Sequence, residues 1–293
     1  MLQREMSKRC WLQRVRATVL LGLALTGLAQ AQGLSRETVQ QRSRRAAELF
    51  QWYYAAVYGT GAYRIGDESV SVVLLPMAYT VREPSAEDFG VKLTVPVSAA
   101  LAQFDLYDWD LGNVRTAGLS VLPGVEIEIP LQSNWSVTPY ANLGIGREFT
   151  QDTSALIYAA GVSTLYRVRA GGDILAALGA KFTYAGYRAG GESNTLGAVS
   201  FGGDLGVPVE VQIVGRPSIL GAQLIGTFYF NRLDFLLPGS PTQAVSNEIE
   251  LALTLGVRQP VDVFGMRFDR IGLGYRQGSN GLRGVRLATS FPF

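Results

Sequence analysis

Phe89-Gly90-Val91-Lys92-Leu93-Thr94-Val95-Pro96-Val97-Ser98-Ala99 puts an apolar residue at every odd position, with small or polar residues and one lysine between them. An alternation of period two describes a strand with two chemically different faces, because successive side chains of an extended chain point to opposite sides.

The pattern recurs along the chain. Leu119, Val121, Val125, Ile127, Ile129 and Leu131 carry it, with Ser120, Glu126 and Glu128 in the other phase. Trp135, Val137, Ala141, Leu143 and Ile145 follow, then Ile174, Ala176, Leu178, Ala180, Phe182 and Tyr184 on even positions. Val199, Phe201, Leu205, Val207, Val209, Val211 and Ile213 form the longest run; Ile249, Leu251, Leu253, Leu255 and Val257 come next, and Val285, Leu287, Thr289, Phe291 and Phe293 close the series.

Alternation alone does not say whether the apolar face meets a core or lipid. Length and composition do. The runs are about 10–16 residues, where strands of soluble domains average ~5–6 and a tilted membrane strand needs ~9–11. The opposite face carries Gly, Ala, Ser and Thr with scattered Glu and Arg, the character of a crowded polar lumen and not of a Lys/Glu-rich soluble surface. Lysine is scarce: beyond residue 31 the chain has only Lys92 and Lys181. The alternative, a soluble sandwich or lipocalin-like barrel, would turn the same apolar set inward.

The whole chain has 293 residues, 34 of them glycine, with 26 basic and 24 acidic residues, and no histidine. Near-balanced charge offers no footprint for nucleic acid. The absence of imidazole excludes Ser-His-Asp hydrolases, Cys-His proteases and HExxH zinc enzymes. No cofactor is expected, and Gly144-Ile145-Gly146 and Gly272-Leu273-Gly274 lie in strands without the helix that a phosphate-binding loop requires. The reading is of a protein that is not an enzyme.

Residues 1–31 read as an address. Arg4, Lys8, Arg9, Arg14 and Arg16 precede the apolar run 18–28, and Ala29-Gln30-Ala31 is a small-x-small cleavage pattern. This is the form of a cleaved secretory signal peptide. The only cysteine, Cys10, falls inside it. No later segment offers the ~18 consecutive apolar residues of a helical span, but an exported chain can also enter a membrane as a closed barrel.

The expected organisation is a signal peptide over 1–31, a helical segment over 32–50 and a barrel over 51–293. Twelve strands are expected: 51–63, 69–80, 88–99, 116–130, 134–147, 153–168, 173–187, 195–213, 218–230, 245–257, 265–276 and 283–293. Short connections near 82–87, 131–134, 169–172, 214–217 and 258–264 alternate with longer ones near 100–115, 147–152, 188–194, 231–244 and 277–282, as turns and loops on opposite membrane sides should. Trp135, Phe291 and Phe293 are placed in one aromatic girdle, and Tyr184, Tyr187, Phe228, Phe230 and Tyr275 in the other. Pro123 and Pro139 fall inside expected strands, where a bulge or a local strand end is anticipated.

The segment Val285-Arg-Leu-Ala-Thr-Ser-Phe-Pro-Phe293 resembles the last strand of Gram-negative outer-membrane proteins. One helix followed by twelve strands, without a large passenger before them, resembles the translocator barrel of autotransporters in a solitary form. The resemblance implies an outer-membrane location, outer-membrane lipid as surroundings, and the barrel assembly machinery and periplasmic chaperones as partners in biogenesis. It also implies that Phe291 and Phe293 serve as the assembly signal, and that a helix occupies the pore. Outer-membrane phospholipase, lipid A deacylase and omptin families all use a histidine that this chain lacks.

The candidate functional residues are the inward charges. Arg42, Arg44 and Arg45 of the segment Ser35–Phe50, together with Arg36, make that helix basic; it is either a lumen plug or a solvated periplasmic helix. Glu126, Glu128, Glu248 and Glu250 are candidate partners for it. Lys92, Arg147, Lys181, Arg276 and Arg286 complete the expected inward set. Twelve strands favour a narrow or plugged lumen over a wide channel. Asp105, Asp108 and Asp110 are close enough for a divalent cation, but match no defined ion-binding loop and read better as solvated acids of an interfacial loop. The alternative function is a surface binding or adhesion barrel acting through the loops at 100–115 and 231–244.

Overall fold

The computed structural model describes residues 59–65, 68–103, 114–149, 152–169, 171, 173–189, 192–213, 215–230, 245–263, 266–289 and 291–293. They form thirteen strands: β1 Gly61–Ile65, β2 Glu68–Arg82, β3 Gly90–Gln103, β4 Val114–Val121, β5 Gly124–Gln132, β6 Trp135–Glu148, β7 Thr153–Arg169, β8 Leu175–Ala189, β9 Glu192–Ile213, β10 Arg216–Phe230, β11 Asn247–Val263, β12 Met266–Gly278 and β13 Arg283–Ala288. β4 and β5 both lie between β3 and β6 and together occupy one position in the wall. All pairings are antiparallel, each between neighbouring positions in the wall, and β13 pairs with β1 from Gly61↔Arg286 to Arg64↔Arg283. The result is a closed up-and-down barrel of twelve strands, which leaves no free sheet edge.

The wall follows the alternation. Val73, Leu75 and Tyr79 of β2, Leu143 and Ile145 of β6, Phe201 and Leu205 of β9, and Ile249, Leu251 and Leu253 of β11 all lie exposed on the outside. The opposite phase points inward, where the small residues Ser98, Ser120, Gly146, Ala159, Ala185 and Ala252 are buried. Turn chemistry supports the tight connections: Gly171 and Gly215 hold φ of 72° and 70°, a region that glycine enters without steric cost.

Several boundaries differ from expectation. The Leu122-Pro123 step divides the expected strand 116–130, so Pro123 marks a local strand end. The gap is bridged by Leu122 N–H donating to the Pro96 carbonyl and Leu143 N–H donating to the Pro123 carbonyl, both at 2.9 Å. Pro139 produces neither a bulge nor an end. It stays in register opposite Val162, and the β5–β6 pairs step from Glu126↔Tyr140 to Ile129↔Val137 around it. The turn expected at 258–264 belongs mostly to β11, which continues to Val263 through a register shift between Gly256 and Val261. The longer connection expected at 188–194 shrinks to 190–191, because β8 and β9 pair up to Ala189↔Glu192.

The last strand stops at Ala288, short of the expected 293. Of the first expected strand only the end is seen, as β1, and residues 51–58 lie outside the described residues, as do the segment 32–50 and residues 1–31, where a signal peptide is expected. Below, the end bearing the connections 133–134, 170–174, 214–215 and 264–265 is called the turn end, and the end bearing 104–113, 149–152, 231–246 and 279–282 the loop end.

Candidate functional site in the barrel lumen

The pairing registers fix which side chains share the lumen. Ile225↔Glu250↔Arg276↔Gly284↔Tyr63 is one inward row crossing β10, β11, β12, β13 and β1. Glu250 is 2% exposed and accepts from two arginines: Arg276 Nε at 2.8 Å, and Arg286 Nε at 2.9 Å with Nη2 at 2.6 Å. Glu248 lies 3.0 Å from Arg276 Nη1 and accepts the Tyr229 hydroxyl at 2.8 Å. The Arg276 guanidinium also stands 5.6 Å from the ring centre of Tyr63. Two carboxylates and two guanidiniums thus compensate one another in an enclosed cluster, which is what makes burial of four charges tolerable.

A second ion pair crosses the lumen nearer the turn end. Arg270 of β12 donates to both carboxylate oxygens of Asp204 on β9, at 2.9 and 2.6 Å. Both side chains are buried. Gln223 and Thr254 line the wall between them and are also buried. The amide atoms of Gln223 and the Thr254 hydroxyl have no hydrogen-bond partner among the described residues.

The remaining candidates are more scattered. Lys92 faces Glu126 directly in the β3–β5 register, 3.5 Å apart and half-exposed. Glu128 is the next inward residue on β5, opposite Gly90. Lys181 Nζ lies 4.8 Å from the ring centre of Tyr140, whose hydroxyl is 2.5 Å from the Thr183 hydroxyl. Arg147 is not inward: it follows Leu143 and Ile145 on the outer face of β6 and pairs with Asp152 in solvent. Arg42, Arg44 and Arg45 lie outside the described residues, as do Asp105, Asp108 and Asp110.

Above the ion cluster an apolar cluster fills part of the lumen. Ile157, Ala185, Tyr187, Leu196, Ala198 and Tyr229 pack with Val245 and Leu282, which fold in from the loop-end connections. Leu282 is held there by hydrogen bonds in both directions with Gly278 and Ser279. The Ser279 hydroxyl also accepts the Ser246 N–H at 2.7 Å, tying the connections 231–246 and 279–282 together. Tyr187 therefore belongs to the interior and not to an outer girdle.

Near the turn end, Phe293 leaves the line of β13 and sits inside. Its ring lies against Gly179 and Gly202, which face each other across β8 and β9, and a side chain at either glycine would collide with it. Phe291 and Phe293 pack ring to ring at 4.7 Å. Pro292 has no N–H to donate to a ladder, and the two glycines leave a seat of ring size. The turn-end aromatics on the outer face are instead Tyr79, Trp135 and Tyr166, with Trp135 Nε1 donating to Thr164 at 2.7 Å. Phe228 and Tyr275 are exposed on the outside toward the loop end. Inward Gly144 and Gly272 have carbonyls of Val121 and Leu253 where a Cβ would stand.

Sequence reasoning missed Asp204, Arg270, Tyr63, Tyr140 and Gln223. Asp204 could have been found, since it stands in the polar phase of the Val199–Ile213 run; its partner, three strands away, carried no local signal.

No protein-family model matches the chain, and no curated protein matches it in sequence. Among solved structures the chain is similar to the β domain of the Bordetella autotransporter BrkA, with a TM-score of 0.55 and 13% identity over 78% of this chain and 92% of that one. The KdgM porin in complex with disordered oligogalacturonate aligns with a TM-score of 0.33 and 11% identity, over 79% of this chain and 96% of that one. The likeness to the BrkA β domain is one of fold.

Proposed function

We propose that this chain is an integral outer-membrane β-barrel without enzymatic activity, a narrow or plugged channel or a structural barrel similar to a solitary translocator domain. The observation that carries this reading is its inverted polarity. Glu250, a charged residue, is 2% exposed in the lumen, while Leu253, three residues on, is 61% exposed on the outside. Water does not reward that arrangement, whereas lipid outside and compensated charge inside do. The loop end faces the exterior in this reading and the turn end the periplasm.

The lumen charges keep the pore narrow, and residues 32–50, with Arg42, Arg44 and Arg45, plug it. Phe291 and Phe293 act first as the signal read by the barrel assembly machinery, with periplasmic chaperones escorting the chain and outer-membrane lipid as its final surroundings. The experiment is single-channel conductance of the refolded chain in a planar bilayer, with and without residues 32–50. Small steps that grow when the segment is removed support a plugged pore, and reversing the charge of Arg44 and Arg45 should enlarge them too. Absent conductance in both forms would overturn the channel and favour a surface barrel working through its loops. A chain that stays soluble without detergent would overturn the membrane reading itself.

A further inference from the structure

Within the lumen, Lys92, Arg270, Arg276 and Arg286 each have a carboxylate within 3.5 Å. Lys181 shares the inward phase of Thr183 and Ala185 on β8, yet forms no ion pair among the described residues. Its contact is the Tyr140 ring, whose centre lies 4.8 Å from Nζ. A ring face shelters one side of an ammonium but uses none of its three N–H donors and leaves its charge in place. The carboxylate whose charge reaches Lys181 is Glu126, which stands opposite Tyr140 in the β5–β6 register and is engaged by Lys92 at 3.5 Å.

The register surrounds this ammonium with hydroxyls. Ser163 of β7 and Ser200 of β9 are its direct partners on either side, and Thr227 of β10 follows Ser200 in the same inward row. A hydroxyl has one proton to donate. Ser200 and Thr227 are bonded to each other at 2.9 Å, and Tyr140 and Thr183 at 2.5 Å, so each pair spends one O–H and keeps one. The Ser163 hydroxyl makes no hydrogen bond among the described residues. Three ammonium and three hydroxyl protons therefore converge without an acceptor. Water would serve the hydroxyls but would leave the charge uncompensated in a confined space, where charges act more strongly on one another. An anion serves both. One uncompensated positive charge matches one negative charge, so a monovalent ion fits better than sulfate or phosphate. The Phe293 ring, seated on Gly179 and Gly202 one inward row toward the turn end, limits the room on that side.

We infer that Lys181, with Ser163, Ser200 and the Tyr140–Thr183 hydroxyl pair, forms a binding site in the lumen for a small monovalent anion of the chloride class. The inference needs only the closed barrel and goes beyond the channel reading. An anion here completes the charge balance of the lumen whether or not ions pass through it.

The test is chloride binding to the full chain refolded in uncharged detergent micelles, read from the chloride NMR line width, which broadens when the ion is held on a slowly tumbling protein. Folding is read first, from the shift in gel mobility between unheated and boiled protein. Folded wild type should give a saturable broadening. Lys181→Met should weaken binding about ten-fold or more, the scale of one charge-assisted hydrogen bond, and Ser163→Ala/Ser200→Ala should weaken it by less. Glu126→Gln should tighten it, because the negative charge that bears on the ammonium is removed; a lysine with a merely structural role would not give that response. Arg188→Gln, which changes an outward arginine between Leu156 and Ser193, should leave binding unchanged. Bromide should displace chloride, and equimolar sulfate should not. The site is overturned if folded wild type shows no saturable broadening, if Lys181→Met binds as well as wild type, or if sulfate competes as well as bromide. Should Lys181→Met not fold, the serine double variant and Glu126→Gln decide, and unchanged affinity in both overturns the site.

Discussion

Arg270 on β12 and Asp204 on β9 are joined by two hydrogen bonds of 2.9 and 2.6 Å although β10 and β11 lie between them along the wall. The pair is a chord across the lumen. Gly221 on the intervening β10 leaves space for the arginine, since a Cβ there would stand 2.5 Å from Arg270 Nη1.

The chord makes a prediction about coupling. Asp204→Ala strands a buried guanidinium and Arg270→Ala strands a buried carboxylate, so each alone should cost about 3–5 kcal/mol. The double variant removes both charges and should cost clearly less than the sum. Urea unfolding of the four proteins in lipid vesicles measures this. Additive losses would mean that the two side chains do not meet in the folded barrel.

Glu250 offers a different readout. It accepts from both Arg276 and Arg286, so Glu250→Gln leaves two guanidiniums facing Glu248 alone. The lumen gains one positive charge at its most enclosed level. Any conductance should become more anion-selective, and stability should fall by about 3 kcal/mol. Reversal-potential measurements under a salt gradient check the sign: an unchanged reversal potential would place Glu250 outside the conducting path.

How far the sequence could be read follows from what alternation encodes. Period two gives the face of each residue and the approximate span of each strand, and eleven of the twelve expected strands coincide with wall strands over most of their length. It gives nothing about partners across the lumen, which is why Asp204 and Arg270 were not brought together. Two errors came from letting chemistry outweigh phase. Arg147 shares the odd phase of Leu143 and Ile145, and Tyr187 opposes the even phase of Phe182 and Tyr184; phase alone would have placed both correctly. The end of the chain is the opposite case. Val285, Leu287, Thr289, Phe291 and Phe293 keep perfect phase, yet Pro292 and the seat at Gly179 and Gly202 override it beyond Ala288.

Leu253 distinguishes a lipid-facing wall from a solvent-facing one. It lies on the outside of β11, opposite Leu273 of β12, in the middle of the apolar band. In a bilayer Leu253→Arg should cost about 2–4 kcal/mol, the penalty for a charge near the midplane. On a water-exposed surface the same change should fall within about 0.5 kcal/mol. Unfolding free energies in vesicles separate the two, and a near-neutral result would contradict a membrane position for this face.

The Phe293 seat predicts a relation between three residues. If the ring rests on Gly179 and Gly202 and thereby narrows the turn-end mouth, Gly179→Val should displace it, because a Cβ there collides with the ring. Phe293→Ala should remove the obstruction directly. Each change should enlarge single-channel steps, and the double variant should resemble Phe293→Ala alone, since no ring is left to displace. The order matters for assembly as well. If Phe293 is read as part of an extended strand before the barrel closes, Phe293→Ala should lower the yield of folded barrel, while Gly179→Val, which leaves the terminal segment intact, should not. Equal losses of yield would assign the effect to barrel stability instead of to recognition of the final strand.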